Sequence, residues 1–137
     1  MSAATLGRIA LAALVFAALD FSSVGLLYIV DPAGEAAAST ITAAEAAGLT
    51  NLRVGFGALH LAIGVIAAYC AIRRERIWAG LRIVVTVTLI AVAVRLLGLA
   101  VDGVHDRTLL LLQVETLGLA IFVLGLSAEW RRQRLLR

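Results

Sequence analysis

The sequence predicts an all-α membrane protein in which four transmembrane helices form a bundle and both termini lie in the cytoplasm. Three observations lead to this prediction: the composition, the spacing of the apolar segments and the placement of the arginines. Of the 137 residues, 62% are hydrophobic and only 15% are charged, and the mean hydropathy is +1.01. A soluble domain of this length could not bury so much apolar surface, so we expect residues 1–137 to form one domain with lipid as its solvent.

Four apolar segments have the length of a membrane-spanning helix. About 20 helical residues cross the ~30 Å of hydrocarbon, and a helix is required because lipid offers no partner to a free backbone group. The first segment resembles a secretory signal peptide, but it is long for one and Asp20 interrupts it. The predicted spans are residues 6–30, 51–72, 77–101 and 109–128.

An alanine-rich outer loop at residues 31–50 separates the first two spans and begins with Asp31 and Pro32. Thr42 and Glu45 have capping-box spacing, which predicts a short helix across the outer mouth of the bundle. That helix would serve either as a lid or as a passive connector. The link between the second and third spans is much shorter, so we expect those two helices to be antiparallel neighbours.

The arginines indicate the orientation, because positive charge accumulates on the cytoplasmic side of membrane spans. The chain has no lysine, and its arginines cluster in the link after span two and in the tail after span four. Trp78 and Trp130 flank the same boundary, where indole rings prefer to lie. The cytoplasmic arginines are Arg73, Arg74, Arg76, Arg131, Arg132, Arg134 and Arg137, whereas the opposite loops carry Asp31, Glu35, Glu45 and Asp106, with Arg107 as the exception.

The composition also argues against several classes of function. The net charge of +3 does not indicate nucleic-acid binding, because the arginines lie at span ends without interleaved aromatic residues. Cys70 is the only cysteine, which excludes an intrachain disulfide and is typical of a small buried hydrophobic residue. No close-spaced metal ligands, nucleotide loop, serine triad or haem attachment motif is present, so we expect neither metal nor cofactor.

Four ionisable residues, one in each span, are the candidate catalytic residues: Asp20, His60, Arg95 and Glu115. An ionisable group in a membrane span costs roughly 2.5–3.5 kcal/mol on insertion scales, so such groups are usually functional. At 1.5 Å per residue, Asp20 and His60 lie about 13–15 Å below the outer surface, and Arg95 and Glu115 lie about 10 Å below it. The sequence therefore predicts a polar chamber in which the four side chains meet.

Helical periodicity supports the chamber, because polar and small residues share faces with the ionisable ones. Small residues on these faces allow close approach of helices and also leave room for a ligand. On span two the face comprises Arg53, Gly57, His60 and Gly64, and on span three it comprises Thr88, Ala91, Arg95, Gly98 and Asp102.

The charges constrain the chemistry of the predicted chamber. Arg95 keeps its proton and is expected to pair with Glu115 or Asp20, holding that carboxylate ionised. The other carboxylate then needs His60 as a cation or must keep its own proton. Two carboxylates in unlike environments can supply an acid and a base from one site. Each ionisable residue also has a structural explanation: the Arg–Glu pair can hold helices together, and His60 can bond a backbone carbonyl.

Further candidates are expected to bind substrate around this group. Arg53 and Asp102, nearer the outside, could form a second pair at the entrance or serve as structural interface residues. Tyr28 on span one, with Gln113 and Thr116 on span four, completes the predicted substrate-binding set.

Short motifs resemble an uncharacterised family of small four-helix bacterial integral membrane proteins, known only as a domain of unknown function. These motifs are Asn51-Leu52-Arg53 with Phe56-Gly57, then Arg95-x-x-Gly98-x-x-x-Asp102-Gly103, and Glu115 in the fourth span. The family tends to have glycine where this chain has Ala58. The resemblance covers most of the chain and implies four spans, a multi-pass protein of a bacterial inner membrane, and importance for Arg53, Arg95, Asp102 and Glu115. It implies no activity.

The leading hypothesis is a cofactor-independent intramembrane acid–base enzyme that acts on a lipophilic small molecule, as an isomerase, a cyclase or an epoxide-opening hydrolase. Emopamil-binding-type sterol isomerases offer an analogy without a shared motif. A second hypothesis is a small carrier or proton-relay component, although no inverted repeat is visible and the cytoplasmic half has few polar residues. A third is a structural or assembly subunit. The expected partners are the lipophilic molecule, membrane lipids and, in a homodimer, a second copy.

Overall fold

The computed structural model describes residues 1–43 and 45–137, and all regular structure in these residues is helical. Short polar or glycine-containing links separate the helices. In chain order the elements are α1 (Ala3–Val30), α2 (Pro32–Ala38), α3 (Ala46–Leu52), a π-helical segment (Arg53–Ala58), α4 (Leu59–Ala71), a 3-10 turn (Arg74–Arg76), α5 (Ile77–Val101) and α6 (Asp106–Leu135).

Four helical stretches are long and apolar enough to cross a membrane, which confirms the predicted all-α class and the four spans. The third predicted span coincides with α5. The second begins earlier, because α3 and the π-helical segment continue directly into α4. The fourth is longer at both ends, since helix α6 continues past the apolar residues into the arginine-rich tail. The stretches are Ala3–Val30, Ala46–Ala71, Arg74–Val101 and Asp106–Leu135.

The loop predicted at residues 31–50 contains α2 and most of α3, and neither helix begins with the predicted cap. Asp31 caps α2, and its Oδ1 accepts a hydrogen bond from the Gly34 amide at 3.0 Å. The prediction of a capping box at Thr42 and Glu45 is wrong. Glu45 itself occupies the N-cap position of α3, and its side chain makes no capping hydrogen bond.

The chain divides into two compact units, and the prediction of a single domain stays a prediction. The first, which we call the terminal unit, comprises Met1–Ala17 and Ala67–Arg137. The second, the middle unit, comprises Ala18–Ile66.

In the terminal unit, α5 and α6 pack as an antiparallel pair. Gly103 forms the turn between them with a φ of +91°, a conformation that favours glycine because it has no Cβ. Close packing continues along both helices: a Cβ on Gly125 would lie 3.2 Å from Leu81 of α5 and even nearer to Ala13 of α1. The centre of this unit is apolar, and its fully buried side chains include Leu14, Leu81, Val84 and Phe122.

In the middle unit, glycines bring the second half of α1 against the π-helical segment and α4. A Cβ on Gly25 would lie 2.5 Å from the Leu61 nitrogen and 2.8 Å from the Gly57 carbonyl oxygen, distances that no real side chain tolerates. Gly64 approaches α1 equally closely, at Ser22. Backbone therefore packs directly on backbone, as is common where small residues meet between membrane helices.

Candidate functional site

The candidate site in the terminal unit is an ion pair between α5 and α6. The Nε of Arg95 donates to Oε2 of Glu115 at 2.7 Å, and Nη2 of Arg95 donates to Oε1 of the same carboxylate. This bidentate geometry matches the planar guanidinium to the planar carboxylate and is the strongest form of such a pair. The predicted pairing of Arg95 with Glu115 is confirmed.

The pair lies near the α5–α6 turn. Arg95 is six residues from Val101, the end of α5, and Glu115 is nine residues from Asp106, the start of α6. At 1.5 Å per residue these distances are about 9 Å and 14 Å along the helices. The pair is therefore inside both candidate spans, at the end remote from the arginine-rich tail.

Neither member of the pair is fully covered. The side chain of Arg95 is 26% exposed and that of Glu115 is 24% exposed. A guanidinium has five N–H donors, and Glu115 takes two of them. Among the described residues no other hydrogen bond to Arg95 occurs, so three donors remain for another oxygen-bearing molecule.

A second polar group on α5 lacks a partner. Thr88, two helical turns before Arg95, is 6% exposed, and its Oγ1 makes no hydrogen bond within the part of the chain that the structure describes. A buried hydroxyl without a partner costs roughly 1–3 kcal/mol. Thr88 belongs to the predicted polar face of the third span, and the meeting of that face with the other spans in a chamber stays a prediction.

The middle unit holds the other two candidate catalytic residues, Asp20 and His60. The Nδ1 of His60 lies 2.6 Å from the carbonyl oxygen of Phe56. Because a carbonyl can only accept, Nδ1 carries a proton and Nε2 is left to accept or release another. The expected backbone-bonded histidine is therefore present, and that bond also orients Nε2, which makes no hydrogen bond to any residue that the structure describes.

The carbonyl that bonds His60 belongs to the π-helical segment, and it also accepts a hydrogen bond from the Leu59 amide. In a π turn the helix widens, and its hydrogen bonds no longer follow the regular spacing of an α-helix. Phe56 lies inside the segment, four residues before His60, and its ring lies over the imidazole with ring centres 6.4 Å apart. Single π turns within helices are frequent at functional sites.

Asp20 lies on an exposed part of α1 and interacts electrostatically with His60. The two side chains make no direct hydrogen bond or ion pair among the described residues. Asp20 and His60 thus both lie in the middle unit without a direct bond between them, while Arg95 and Glu115 form a tight pair in the terminal unit. The meeting of these four residues in one chamber stays a prediction.

The small residues on the second span do not leave room for a ligand. The space beside Gly57 and Gly64 is filled by α1, because a Cβ at either position would contact Ile29 or Ser22. The prediction of close helix approach is confirmed at these two glycines. The prediction of ligand space beside them is wrong, because the helices close it.

The five predicted substrate-binding residues have different surroundings. Arg53 donates from Nε to the Ile29 carbonyl at 3.1 Å. Its predicted pair with Asp102, which is exposed, would join the two units and stays a prediction. The Tyr28 hydroxyl bonds Ser39 Oγ at 3.0 Å, and the Tyr28 ring stacks on Phe56, so Tyr28 anchors α2 within the middle unit. The remaining two residues, Gln113 and Thr116, are exposed on α6.

Sequence reasoning missed the most deeply buried charge of the described residues. Glu129 is 0% exposed, and its two oxygens accept from Nε and Nη2 of Arg132 at 2.8 and 2.7 Å. Gln133 donates a third hydrogen bond at 3.2 Å. The i, i+3 spacing of Glu129 and Arg132 was the available signal, but it lies in an arginine-rich tail that resembles a solvated helix end.

A depression in the middle unit lies away from the candidate residues. Its volume is about 530 Å³, and its lining contains none of the predicted site residues. Within residues 1–43 and 45–137, no three His, Cys, Asp or Glu side chains come close enough to hold a metal ion. The depression is lined by Ala33, Ala36, Ala37, Thr40, Ile41, Thr42, Ala43 and Leu49.

Helices of this length and hydropathy, with an ion pair inside two of them, define a multi-pass membrane protein. DUF4345, a domain of unknown function, matches residues 9–126 of the chain. The chain belongs to this family, which confirms the resemblance to an uncharacterised family. No curated protein and no solved structure matches the chain.

Proposed function

We propose that this protein is an intramembrane acid–base enzyme acting on a lipophilic small molecule that carries an oxygen function or a double bond. The reaction would be an isomerisation, a cyclisation or the opening of an epoxide, without metal or cofactor. The observation that carries the proposal is the half-open Arg95–Glu115 pair inside two membrane spans. The side chains of Arg95 and Glu115 are 26% and 24% exposed, so a substrate oxygen could reach the three N–H donors of Arg95 that Glu115 does not use.

In this proposal Glu115 is the base. Arg95 holds it as a carboxylate, and a carboxylate with two hydrogen bonds still has lone pairs that can accept a substrate proton. The remaining donors of Arg95 would orient a substrate oxygen and stabilise negative charge that develops there. In an epoxide opening, Glu115 would activate water or an internal hydroxyl group.

Asp20 and His60 would supply the acid. Nδ1 of His60 is held by the Phe56 carbonyl, which leaves Nε2 to carry a proton to and from Asp20 or the substrate. Asp20, exposed on α1, would protonate the epoxide oxygen or the double bond.

The test measures proton transfer to candidate substrates. Membranes containing the protein are incubated with terpenoid alkenes in D₂O and with terpenoid epoxides in H₂¹⁸O, and the products are analysed by gas chromatography–mass spectrometry for deuterium on carbon or for ¹⁸O. We expect the wild type and Glu75→Gln, an exposed control with the same substitution, to form labelled product. We expect Glu115→Gln and Asp20→Asn to form none. Wild-type turnover in both of these variants excludes the assigned acid and base.

A structural or assembly subunit is the second candidate, and the bidentate bond between α5 and α6 favours it. The double variant Arg95→Glu, Glu115→Arg distinguishes a structural subunit from an enzyme. A structural subunit recovers folding and function in the swap, whereas an enzyme recovers only folding. A liposome flux assay tests the carrier hypothesis, because a carrier moves protons or solute without chemical change.

We further propose that the protein lies in a bacterial inner membrane with both termini in the cytoplasm, and that it can form a homodimer. The arginine-rich ends of the spans support this orientation. Protease accessibility of a C-terminal tag in inverted and right-side-out vesicles tests it.

A further inference from the structure

One end of the terminal unit carries a surface of arginines. The antiparallel packing of α5 and α6 gives its register: Leu81 lies against Gly125. Four residues before Leu81 is the start of α5, and four residues after Gly125 is Glu129, so Arg76 and Trp130 come to the same level at 1.5 Å per residue. We use the name arginine face for Arg73, Arg74, Arg76, Arg131 and Arg134.

Two guanidinium groups of this face are fixed on aromatic rings. Arg134 lies over the ring of Trp130 at 3.7 Å, and Arg76 lies over the ring of Tyr69 at 4.4 Å. Trp and Tyr prefer the level of the lipid headgroups at the end of a membrane span. Stacking therefore holds both cations at the depth where headgroup phosphates lie.

A stacked guanidinium keeps its hydrogen-bonding edge free. The ring covers the flat face of the group, while the N–H donors point outward in the plane and match two oxygens of a phosphate. Among the described residues, the one ion pair at this end joins Glu129 to Arg132, which is outside the arginine face. No carboxylate of the described residues therefore pairs with Arg76 or Arg134.

We propose that the arginine face binds the headgroups of anionic phospholipids, with Arg76 and Arg134 as preorganised phosphate ligands. Arg73, Arg74 and Arg131 are exposed and add the positive potential that concentrates anionic lipid at a membrane surface. The ligand is a lipid of the surrounding leaflet, because the aromatic rings place the site at the headgroup level. This proposal does not depend on the proposed enzymatic function.

The experiment is a lipid titration of the full-length protein in a neutral detergent, followed by native mass spectrometry. Phosphatidylglycerol and phosphatidylcholine with identical acyl chains are the probes. We expect phosphatidylglycerol to bind at least tenfold more tightly, and inorganic phosphate at millimolar concentration not to displace it. Equal affinity for the two lipids overturns the proposal, and complete displacement by phosphate shows a site for a free anion instead of lipid.

Variants separate a shaped site from general positive charge. Each arginine near a membrane surface contributes about fivefold in affinity for anionic lipid, so Arg76→Gln with Arg134→Gln should weaken binding about 25-fold. Arg107→Gln removes one charge near the opposite end of α6 and should leave the affinity unchanged.

The decisive variants remove only the rings. Tyr69→Leu and Trp130→Leu keep the net charge but release both guanidinium groups, and we expect a loss of threefold or more in phosphatidylglycerol affinity. Circular dichroism confirms that these variants keep their helix content. Unchanged affinity in the folded Tyr69→Leu, Trp130→Leu double variant refutes the preorganised site.

Discussion

The coupling between Arg95 and Glu115 can be measured directly, and its size follows from their geometry. The perturbation is a double-mutant cycle with Arg95→Gln, Glu115→Gln and the combination of both. Glutamine keeps the length of the glutamate side chain and removes charge without adding apolar volume. Each single variant leaves one charged group without its partner inside a membrane span.

The expected destabilisation is set by two opposing effects. An unpaired charge at the centre of a span costs roughly 2.5–3.5 kcal/mol. Arg95 lies about 9 Å from the helix end at 1.5 Å per residue, and it is 26% exposed, so part of that cost is relieved. We therefore expect about 2 kcal/mol of destabilisation for each single variant. In the double variant no charge remains and the two amides can bond each other, so it should cost only about 1 kcal/mol.

The assay is equilibrium unfolding in mixed micelles of dodecylmaltoside and increasing SDS, followed by far-ultraviolet circular dichroism. The coupling energy that follows from these values is about 3 kcal/mol, well above the ~0.3–0.5 kcal/mol within which independent sites add. The matched control combines Arg95→Gln with Glu129→Gln, which places the same substitution 14 residues further along α6. That control cycle should be additive.

Additivity of Arg95→Gln and Glu115→Gln would refute the reasoning, because a bidentate pair cannot lose either member independently. A double variant less stable than both single variants would also contradict it. Either result would remove the observation on which the proposed function depends.

Three further predictions concern packing and local hydrogen bonds, and each is measured by the same SDS unfolding. Gly25→Ala should lower the free energy of unfolding by about 1–3 kcal/mol because the added methyl group would overlap the backbone of the neighbouring helix. Gly55→Ala is the control, since nothing lies within 4 Å of its Cβ position, and it should not destabilise the protein. Equal effects of the two substitutions would contradict the close helix contact. Glu129→Gln should lower the free energy of unfolding by about 3 kcal/mol because it leaves the guanidinium of Arg132 without its counter-charge. A neutral result would show that the pair is not buried within the protein. Tyr28→Phe should lower the free energy of unfolding by about 1 kcal/mol and accelerate amide hydrogen exchange in α2, because the hydrogen bond to Ser39 is lost. Unchanged exchange would show that Tyr28 does not anchor α2.

The Arg95–Glu115 pair could be predicted from the sequence because the depth of each residue depends only on the span end and on the helical rise. A short turn joins α5 to α6, so both helices are counted from nearly the same level. Bilayer thickness fixes the ends of each span, and the helical rise then gives the depth of each residue. The high cost of a lone charge in lipid makes pairing the expected outcome once the depths agree.

The surroundings of Arg53 and His60 could not be predicted in the same way. The stripe that placed them on one face assumed a regular α-helix throughout the second span. The π-helical segment between them changes the number of residues per turn, so the periodicity before it does not carry past it. Two glycines in that segment, Gly55 and Gly57, were the signal, but glycine alone does not distinguish a π turn from close helix packing.

The glycines of the second span show a related limit. A small residue beside a polar one can admit either a ligand or a neighbouring helix, and the sequence favours neither. At Gly57 and Gly64 the neighbouring helix fills the space, since α1 itself presents Gly25 and Ser22 there. Two small surfaces that match each other predict helix contact better than one small surface does.

A comparison of the two glutamates of α6 separates a structural ion pair from a candidate functional one. Glu115 and Glu129 each accept two hydrogen bonds from one arginine, so pairing alone does not distinguish them. Glu129 is fully buried and receives a third bond from Gln133, which leaves no room for another molecule. Glu115 is 24% exposed, so its carboxylate is not closed off. Exposure is therefore what makes Glu115 the candidate functional residue, whereas the full burial of Glu129 is typical of an ion pair that stabilises a helix.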